Sequence, residues 1–163
     1  MKFKVDTFLK ILSHHQNILD KKSVNSFFSC IKIESKNNIT TVVSTNRQNF
    51  LQNTIQNNTN EEFEIIINGH MLYEVLKKSS AEEFEIIIED NQYLVKVEEA
   101  TLGFAIKKEE TYDFWSNSEN QKEIEFKIDS KILNQALKNI KWASSSEDSR
   151  PVLNSVLFHI KNQ

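Results

Sequence analysis

The spacing of apolar and polar positions changes repeatedly along this chain of 163 residues. Alternating or β-branched runs are typical of strands, and apolar residues three and four positions apart are typical of an amphipathic helix. The first pattern gives way to the second at three places, after MKFKV, after EEFEIII at 61–67 and after EIEFKI. The sequence therefore predicts three strand-helix pairs.

Each predicted helix begins at a residue whose side chain can accept hydrogen bonds from the first backbone amides, namely Asp6, Asn68 and Asp129. An apolar stripe follows each of these residues. The stripes are Phe8, Leu9, Leu12, His15 and Leu19; Met71, Leu72, Val75 and Leu76; and Ile132, Leu133, Ala136, Leu137 and Ile140. Each helix is thus predicted to bury one face.

More strand-like stretches follow the first two helices, separated by polar turn signals such as KNN and EEAT. Two strand-helix-strand-strand-strand units are therefore predicted to fill residues 1 to about 110. The duplicated heptad EEFEIII, at 61–67 and 82–88, supplies a strand on each side of the second helix. The third unit begins at 123 and is predicted to end after one returning strand, PVLNSVLFHIKNQ.

The polar segment ETYDFWSNSENQ, at 110–121, is predicted to link two domains. We expect a complete first domain at 1–121 and the incomplete start of a second domain at 122–163. The fold class is α+β, with helices on one face of antiparallel sheets. One helix and a strand pair bury little apolar surface, so we expect the second part to be marginally stable unless it packs on something else.

Composition excludes several classes of site. Cys30 is the only cysteine, so no intrachain disulfide can form, and the two glycines are too few for a phosphate-binding loop. The four histidines lack partners at metal-ligand spacing, and no catalytic triad is recognisable. We expect no cofactor, no metal and no enzymatic activity. No apolar run approaches the length of a membrane span, which predicts a cytoplasmic protein without a membrane partner.

Charge is distributed unevenly although the net charge is only −3. Between residues 81 and 127, which are mostly predicted strands and turns, thirteen acidic residues accompany five lysines. The polar helix faces are mostly basic or neutral and carry Lys10, His14, Asn17 and Lys21; His70, Glu74 and Lys77; and Lys131, Asn134, Lys138 and Lys141. Such helices could face a phosphate backbone, or their lysines could be ordinary solvated residues.

The C-terminal stretch IDSKILNQALKNIKWASSSEDSRPVLNSVLFHIK, after a linker containing Phe-Trp, resembles the bacterial sliding clamp, the beta subunit of DNA polymerase III. The opening MKFKV, the step at 44–46 and the strand GFAI before Tyr112 follow the family's order. Ser155 stands where the family has glycine. This resemblance implies the clamp fold, in which subunits of three similar domains form a ring with helices lining the hole. It also implies a non-catalytic processivity factor that encircles duplex DNA.

The resemblance also implies roles for individual residues. Lys22 and Arg150 match positions at which the family approaches DNA, and Lys10, Lys77, Lys138 and Lys141 would line the hole of the implied ring by helical geometry. Phe104 and Ile106 match the first domain's edge strand at the subunit interface, although they could be ordinary core residues. Leu153 matches the rim of the pocket that binds partner peptides. The implied partners are duplex DNA, the replicative polymerase, the clamp loader and other subunits of the ring.

The chain contains one clamp domain and about a third of the next, so by itself it is not expected to close the family's two-subunit ring. It could be a fragment, the product of a split gene or a shortened relative. The alternative function is a protein-interaction or assembly module that does not encircle DNA.

Overall fold

The computed structural model describes residues 1–20, 26–46, 49–57, 61–90, 92–105, 127–144 and 151–159. The chain divides into two compact units, residues 1–117 and 118–163. The predicted domain boundary after residue 121 stays a prediction, because residues 106–126 lie outside the described part.

The described part of unit 1 contains two α-helices, a short 3₁₀ turn at Ser26–Ser29 and two antiparallel four-stranded sheets. The strands are β1 (Lys2–Lys4), β2 (Cys30–Lys36), β3 (Ile39–Thr45), β4 (Phe50–Gln56), β5 (Phe63–Asn68), β6 (Glu83–Ile88), β7 (Gln92–Val97) and β8 (Ala100–Ala105), and the helices are α1 (Val5–His15) and α2 (Gly69–Lys78). The predicted α+β class is confirmed.

The two predicted strand-helix-strand-strand-strand units exchange their first strands. One sheet has the order β1-β6-β7-β8, and the other has the order β4-β3-β2-β5. Strand β1 therefore completes the sheet of the second half, and β5 completes the sheet of the first half. The two EEFEIII copies are not equivalent: β6 lies between β1 and β7, whereas β5 pairs with β2 at the end of its sheet.

A cluster of aromatic rings lies where the exchanged strands meet. The Phe3 ring centroid is 5.1 Å from that of Phe8, 5.5 Å from that of Phe84 and 6.3 Å from that of Phe63. Phe63 and Phe84 are the phenylalanines of the two duplicated heptads. Aromatic pairs at these distances gain from edge-to-face geometry in addition to apolar burial. Phe3 thus joins both halves to one core.

Apolar residues from both helices and both sheets form this core. Its fully buried members include Phe8, Leu12, Ile31, Ile33, Val42, Ile65, Leu72, Leu76, Ile86 and Val95. The prediction that α2 buries Leu72 and Leu76 is confirmed, but Met71 is 51% exposed. Met71 lies in the first turn of α2, toward the edge of the predicted stripe.

The helix starts agree with the predicted caps at two of three positions. The Asn68 side chain accepts a hydrogen bond from the Met71 amide, and Asp129 accepts from the amides of Lys131 and Ile132. Asp6 was wrongly predicted as a cap. Helix α1 begins at Val5, directly after β1, so Asp6 lies in the first turn, where its charge still favours the positive end of the helix dipole.

Backbone conformation explains two of the predicted turns. Asn37 and Asn38, between β2 and β3, have φ values of 51° and 62°. Consecutive positive φ values define the tight hairpin turn that matches strand twist, and asparagine tolerates them. Glu98, between β7 and β8, has φ 52°, and its carboxylate accepts hydrogen bonds from the Ser80 amide and hydroxyl at 2.8 and 2.9 Å.

Unit 2 contains α3 (Ser130–Ile140) and short 3₁₀ turns at Lys141–Ala143 and Pro151–Asn154. The predicted returning strand is wrong for residues 151–159, which form a 3₁₀ turn followed by irregular backbone. A strand requires a neighbour for its backbone hydrogen bonds, and the described part of unit 2 offers no such neighbour. The predicted strand at 123–128 falls mostly outside the described residues.

Replacing Phe3 by alanine tests the central role of the aromatic cluster. Phe3 is 5% exposed, so the substitution should lower the free energy of unfolding by about 3–5 kcal/mol. Chemical denaturation measures this change. Met71→Ala is the control, because half of that side chain already contacts solvent, and its cost should be below about 1 kcal/mol. Equal losses for the two variants would contradict the assignment of Phe3 to the centre of the core.

The two glycines of the chain should respond differently to alanine. A Cβ at Gly69 would lie 2.6 Å from Leu19 Cδ1 and 2.8 Å from Ile31 Cγ2, whereas one at Gly103 would meet the flexible Gln92 side chain at 3.1 Å. Overpacking at Gly69 should cost about 1–3 kcal/mol of unfolding free energy. Gly103→Ala should be close to neutral, and thermal or denaturant unfolding of both variants would show whether the order is reversed.

Candidate nucleic-acid interface

The two helices of unit 1 pack against each other. Hydrogen bonds connect the end of α1 to the start of α2. Gln16 follows α1 directly, and its Oε1 lies 2.5 Å from Nδ1 of His70. The same amide donates from Nε2 to the Gly69 carbonyl at 3.3 Å. Close approach is possible because Gly69 has no side chain to displace Leu19. These contacts fix the helices relative to each other while their polar faces remain exposed.

His15 anchors the end of α1 to the sheet beneath it. Its side chain is fully buried, and Nδ1 lies 2.7 Å from the hydroxyl oxygen of Ser44 on β3. Within the described residues, Nε2 and the Oδ1 of nearby Asn53 are both buried without a hydrogen-bond partner. Burial lowers the pKa of His15 from 6.5 to about 4, although the Asn53 side chain opposes part of this effect. His15 is therefore a neutral core residue at neutral pH.

Exposed charges on α1 and α2 give this surface a small excess of lysine. Lys10, Lys77 and Lys78 are exposed, as are Asp6 and Glu74. The ammonium of Lys77 lies 5.5 Å from the centroid of the Tyr73 ring, which can hold it by a cation–π contact. Lys78 was missed by the sequence analysis, although its position beside Lys77 is the signal that could have identified it. The surface is mildly basic.

Not every lysine of unit 1 is available to a polyanion. Lys32, on β2, is half-buried, and its Nζ lies 2.8 Å from a Glu64 carboxylate oxygen and 3.5 Å from one of Glu34. Burial alone would lower the pKa of Lys32, but the hydrogen bond and charge of Glu64 raise it overall. This cation is therefore paired within the sheet.

Helix α3 of unit 2 combines a basic face with an uncovered apolar face. Lys131 and Lys138 lie on the helix and Lys141 follows it, and all three are exposed. Its predicted apolar stripe is not buried: Ile132 is 65% exposed, and no described residue of α3 is buried. The apolar spacing is present, but the described part of unit 2 provides no surface to cover it.

The remaining predicted site residues lie in different places. Lys22, Arg150 and Ile106 fall outside the described residues. Phe104 lies on β8 opposite Tyr93, and its side chain belongs to the core of unit 1. Leu153, in the second 3₁₀ turn of unit 2, is about half exposed. The predicted roles of these residues at DNA, at a subunit interface and at a peptide pocket stay predictions.

The described residues show few candidates for other chemistry. They contain no cluster of three or more His, Cys, Asp or Glu side chains that could hold a metal ion. Cys30 is a buried free thiol. None of the described helices is long and apolar enough to span a membrane.

Comparison with known proteins identifies the family. The family model described as the DNA polymerase III beta subunit, N-terminal domain, matches residues 1–115. The chain belongs to this family. The resemblance predicted from the sequence is thereby confirmed for the first unit. No curated protein matches the chain at a significant level.

Solved structures of family members share the fold at low sequence identity. The sliding clamp of Pseudomonas aeruginosa, bound to griselimycin, is 17% identical with a TM-score of 0.84, over 94% of this chain and 42% of that protein. Caulobacter crescentus pol III beta is 17% identical with a TM-score of 0.82, and the match covers 94% of this chain and 41% of that protein. The Streptococcus pneumoniae beta chain is 20% identical with a TM-score of 0.73, and the match covers 93% of this chain and 42% of that protein. The clamp fold is confirmed, and this chain spans less than half the length of these proteins.

The stability of this family member should fall in acid because of His15. The unfolded chain takes up a proton near pH 6.5, but the folded chain takes it up only near pH 4, so the unfolded state binds more protons between these values. Unfolding free energy should therefore decrease by about 3 kcal/mol as the pH falls from 7 through 4. Denaturant titrations across this range measure the decrease.

His15→Gln should remove most of this pH dependence, whatever its effect on stability at pH 7. His14→Gln is the matched control, because the neighbouring His14 side chain is exposed, and it should keep the wild-type dependence. A His15→Gln protein whose stability falls as steeply as that of the wild type would contradict this assignment.

Proposed function

We propose that this chain acts as part of a DNA sliding clamp, a non-catalytic component that holds duplex DNA without reading its sequence and keeps the replicative polymerase on its template. The observation that carries the proposal is the family match over residues 1–115, the segment that contains the clamp-like body of paired helices and two sheets. Retention by a ring is topological, so it requires only weak phosphate contacts and no base-specific side chains.

The proposed DNA contacts are the exposed helix lysines Lys10, Lys77, Lys138 and Lys141, together with Lys22 and Arg150, which lie outside the described residues. Lysine ammonium groups on flexible stems suit this role, because they attract phosphates without imposing one geometry. The small lysine excess on α1 and α2 supports weak binding. The segment formed by α3 and the turn after it, with three lysines and no acidic residue between 130 and 144, would contribute the strongest attraction.

Ring formation and protein partners are further parts of the proposal. Strand β8, with Phe104, and the adjoining Ile106 would lie at a subunit interface. Leu153 would lie at the rim of a surface for short partner peptides, and its exposure supports this assignment. The replicative polymerase and the clamp loader are the expected partners. Because the chain spans about two fifths of solved clamps, a closed ring would need further domains or copies.

The second candidate is an assembly module that contacts other proteins without encircling DNA. The observation that favours it is the uncovered apolar surface of unit 2, where Trp142 is 84% exposed and Leu157 is 88% exposed. Exposed apolar residues in such number usually mark a surface that binds another protein. Strong self-association together with weak, salt-insensitive DNA binding would favour this function over the clamp.

Binding to a fluorescent duplex of unrelated sequences, followed by anisotropy over a salt series, tests the proposed DNA contacts. Affinity should be independent of sequence and should fall linearly on logarithmic axes with salt, because phosphate contacts release counterions. Lys138→Gln and Lys141→Gln should each lower that slope by about 1. Lys96→Gln, at an exposed position on strand β7, is the matched control and should leave the slope unchanged. Salt-independent binding, or equal effects of all three variants, would contradict the proposed interface.

A further inference from the structure

The side chain of Lys77 on α2 has two possible partners on its own helix. Residues three and four positions apart on a helix are neighbours, so Lys77 lies within reach of both Glu74 and Tyr73. Its ammonium nitrogen is 5.5 Å from the centroid of the Tyr73 ring. Within the part of the chain that the structure describes, Lys77 forms no ion pair with Glu74 or with any other carboxylate. The lysine therefore contacts the ring and not the adjacent acid.

The position of Tyr73 is fixed by the core. Its ring is half-buried and packs against the apolar cluster of unit 1, whereas the side chains of Glu74 and Lys77 are exposed. A tyrosine side chain has few rotatable bonds, so an anchored ring presents its face at little cost in conformational entropy. Cation–π contacts and ion pairs are both weak at a protein surface. An anchored ring beside the lysine is therefore able to decide between the two partners.

The choice of partner changes the charge that Lys77 presents to solvent. An aromatic ring attracts a cation through its quadrupole and leaves the positive charge in place. A carboxylate would cancel that charge, and it would have to be displaced before a phosphate could bind. Lys32 shows this second case, because Glu34 and Glu64 form ion pairs with its ammonium group.

We propose that Tyr73 is a positioning residue for the DNA contact of Lys77: its ring holds the ammonium group away from Glu74, so that the lysine stays charged and available to a phosphate. The inference rests on the proposed function, in which Lys77 is one of the lysines that contact DNA. Such an arrangement suits weak, nonspecific binding, because the ammonium group can move from the ring to a phosphate without breaking an ion pair.

Proton NMR of the full chain tests the contact itself in the absence of DNA. Tyr73→Phe keeps the aromatic face, whereas Tyr73→Leu keeps an apolar side chain but has no face to hold a cation. The ε-methylene protons of Lys77 should be shifted upfield by the ring current in the wild type and in Tyr73→Phe, and unshifted in Tyr73→Leu. Lys77→Gln identifies the resonance. An unshifted resonance in the wild type would show that the ring does not hold the lysine.

Binding to the fluorescent duplex over the salt series tests the consequence for DNA. Tyr73→Leu should weaken binding about threefold and lower the salt slope by up to about 1, because Lys77 then pairs with Glu74. Lys77→Gln should have an effect of the same size, and Tyr73→Phe should bind like the wild type. Unfolding midpoints close to wild type would show that each variant folds, and Tyr73→Met replaces Tyr73→Leu as the ring-free variant if the latter is destabilised.

Three backgrounds identify the residues that act together. In Lys77→Gln, adding Tyr73→Leu should have no further effect, because the cation is gone. In Glu74→Gln it should also have little effect, because no acid competes with the ring for the lysine. Lys78→Gln is the matched control, since this exposed lysine follows Lys77 directly, and there Tyr73→Leu should weaken binding by the same factor as in the wild type.

Three results would overturn the role of Tyr73. These are wild-type binding by Tyr73→Leu, an equal loss of binding in Tyr73→Phe, and a loss that persists in Lys77→Gln, which would mean that the ring contacts DNA itself or supports the local fold. A wild-type chain whose duplex binding does not depend on salt would refute the proposed function together with this inference. Salt-dependent binding that is insensitive to Tyr73→Leu would refute the inference alone.

Discussion

Packing of Phe3 against Phe8, Phe63 and Phe84 joins the two halves of unit 1, and the remaining arrangement depends on it. Strand β1 contains only three residues, which is too few for a stable strand without side-chain burial. The aromatic ring in its middle supplies that burial at the meeting point of both sheets. Because each sheet includes a strand from the other half, neither half has a complete sheet of its own, and α1 and α2 are held over a single core.

The joined core also determines what unit 1 presents to solvent. His15, Leu19 and Gly69 fix the end of α1 against β3 and the start of α2, so the exposed lysines of both helices are carried on one rigid body. Lys32 differs from these exposed lysines, because its ammonium group forms ion pairs with Glu34 and Glu64 within the sheet. Nonspecific binding of a polyanion requires exposed, unpaired lysines such as those on the helices, and sliding along it requires that each contact be weak.

The helix of unit 2 follows the same capping and spacing patterns as those of unit 1, but the described part of unit 2 has no buried core. Asp129 caps α3 as its sequence predicts, and apolar residues recur at helical spacing along it. Burial of that face requires a second layer of structure, which the described part of unit 2 does not contain. The predicted returning strand at 151–159 is absent for the same reason, because a strand is stabilised by neighbours and not by its own residues. The cap and the apolar spacing are thus sufficient to predict the helix, but a folded domain also requires further elements that bury its apolar face.

The sequence alone determined the helices, two of their three caps, the Asn37-Asn38 turn, the α+β class and the resemblance to the clamp family, because these depend on neighbouring residues and on motif order. The tertiary structure decided that β1 and β5 exchange sheets, that the two EEFEIII copies occupy different positions, that Met71 is exposed and that Phe104 packs in the core. It also distinguished the paired Lys32 from the exposed Lys10 and Lys77. These features depend on contacts between residues far apart in the chain, and neither periodicity nor composition encodes which distant surfaces meet.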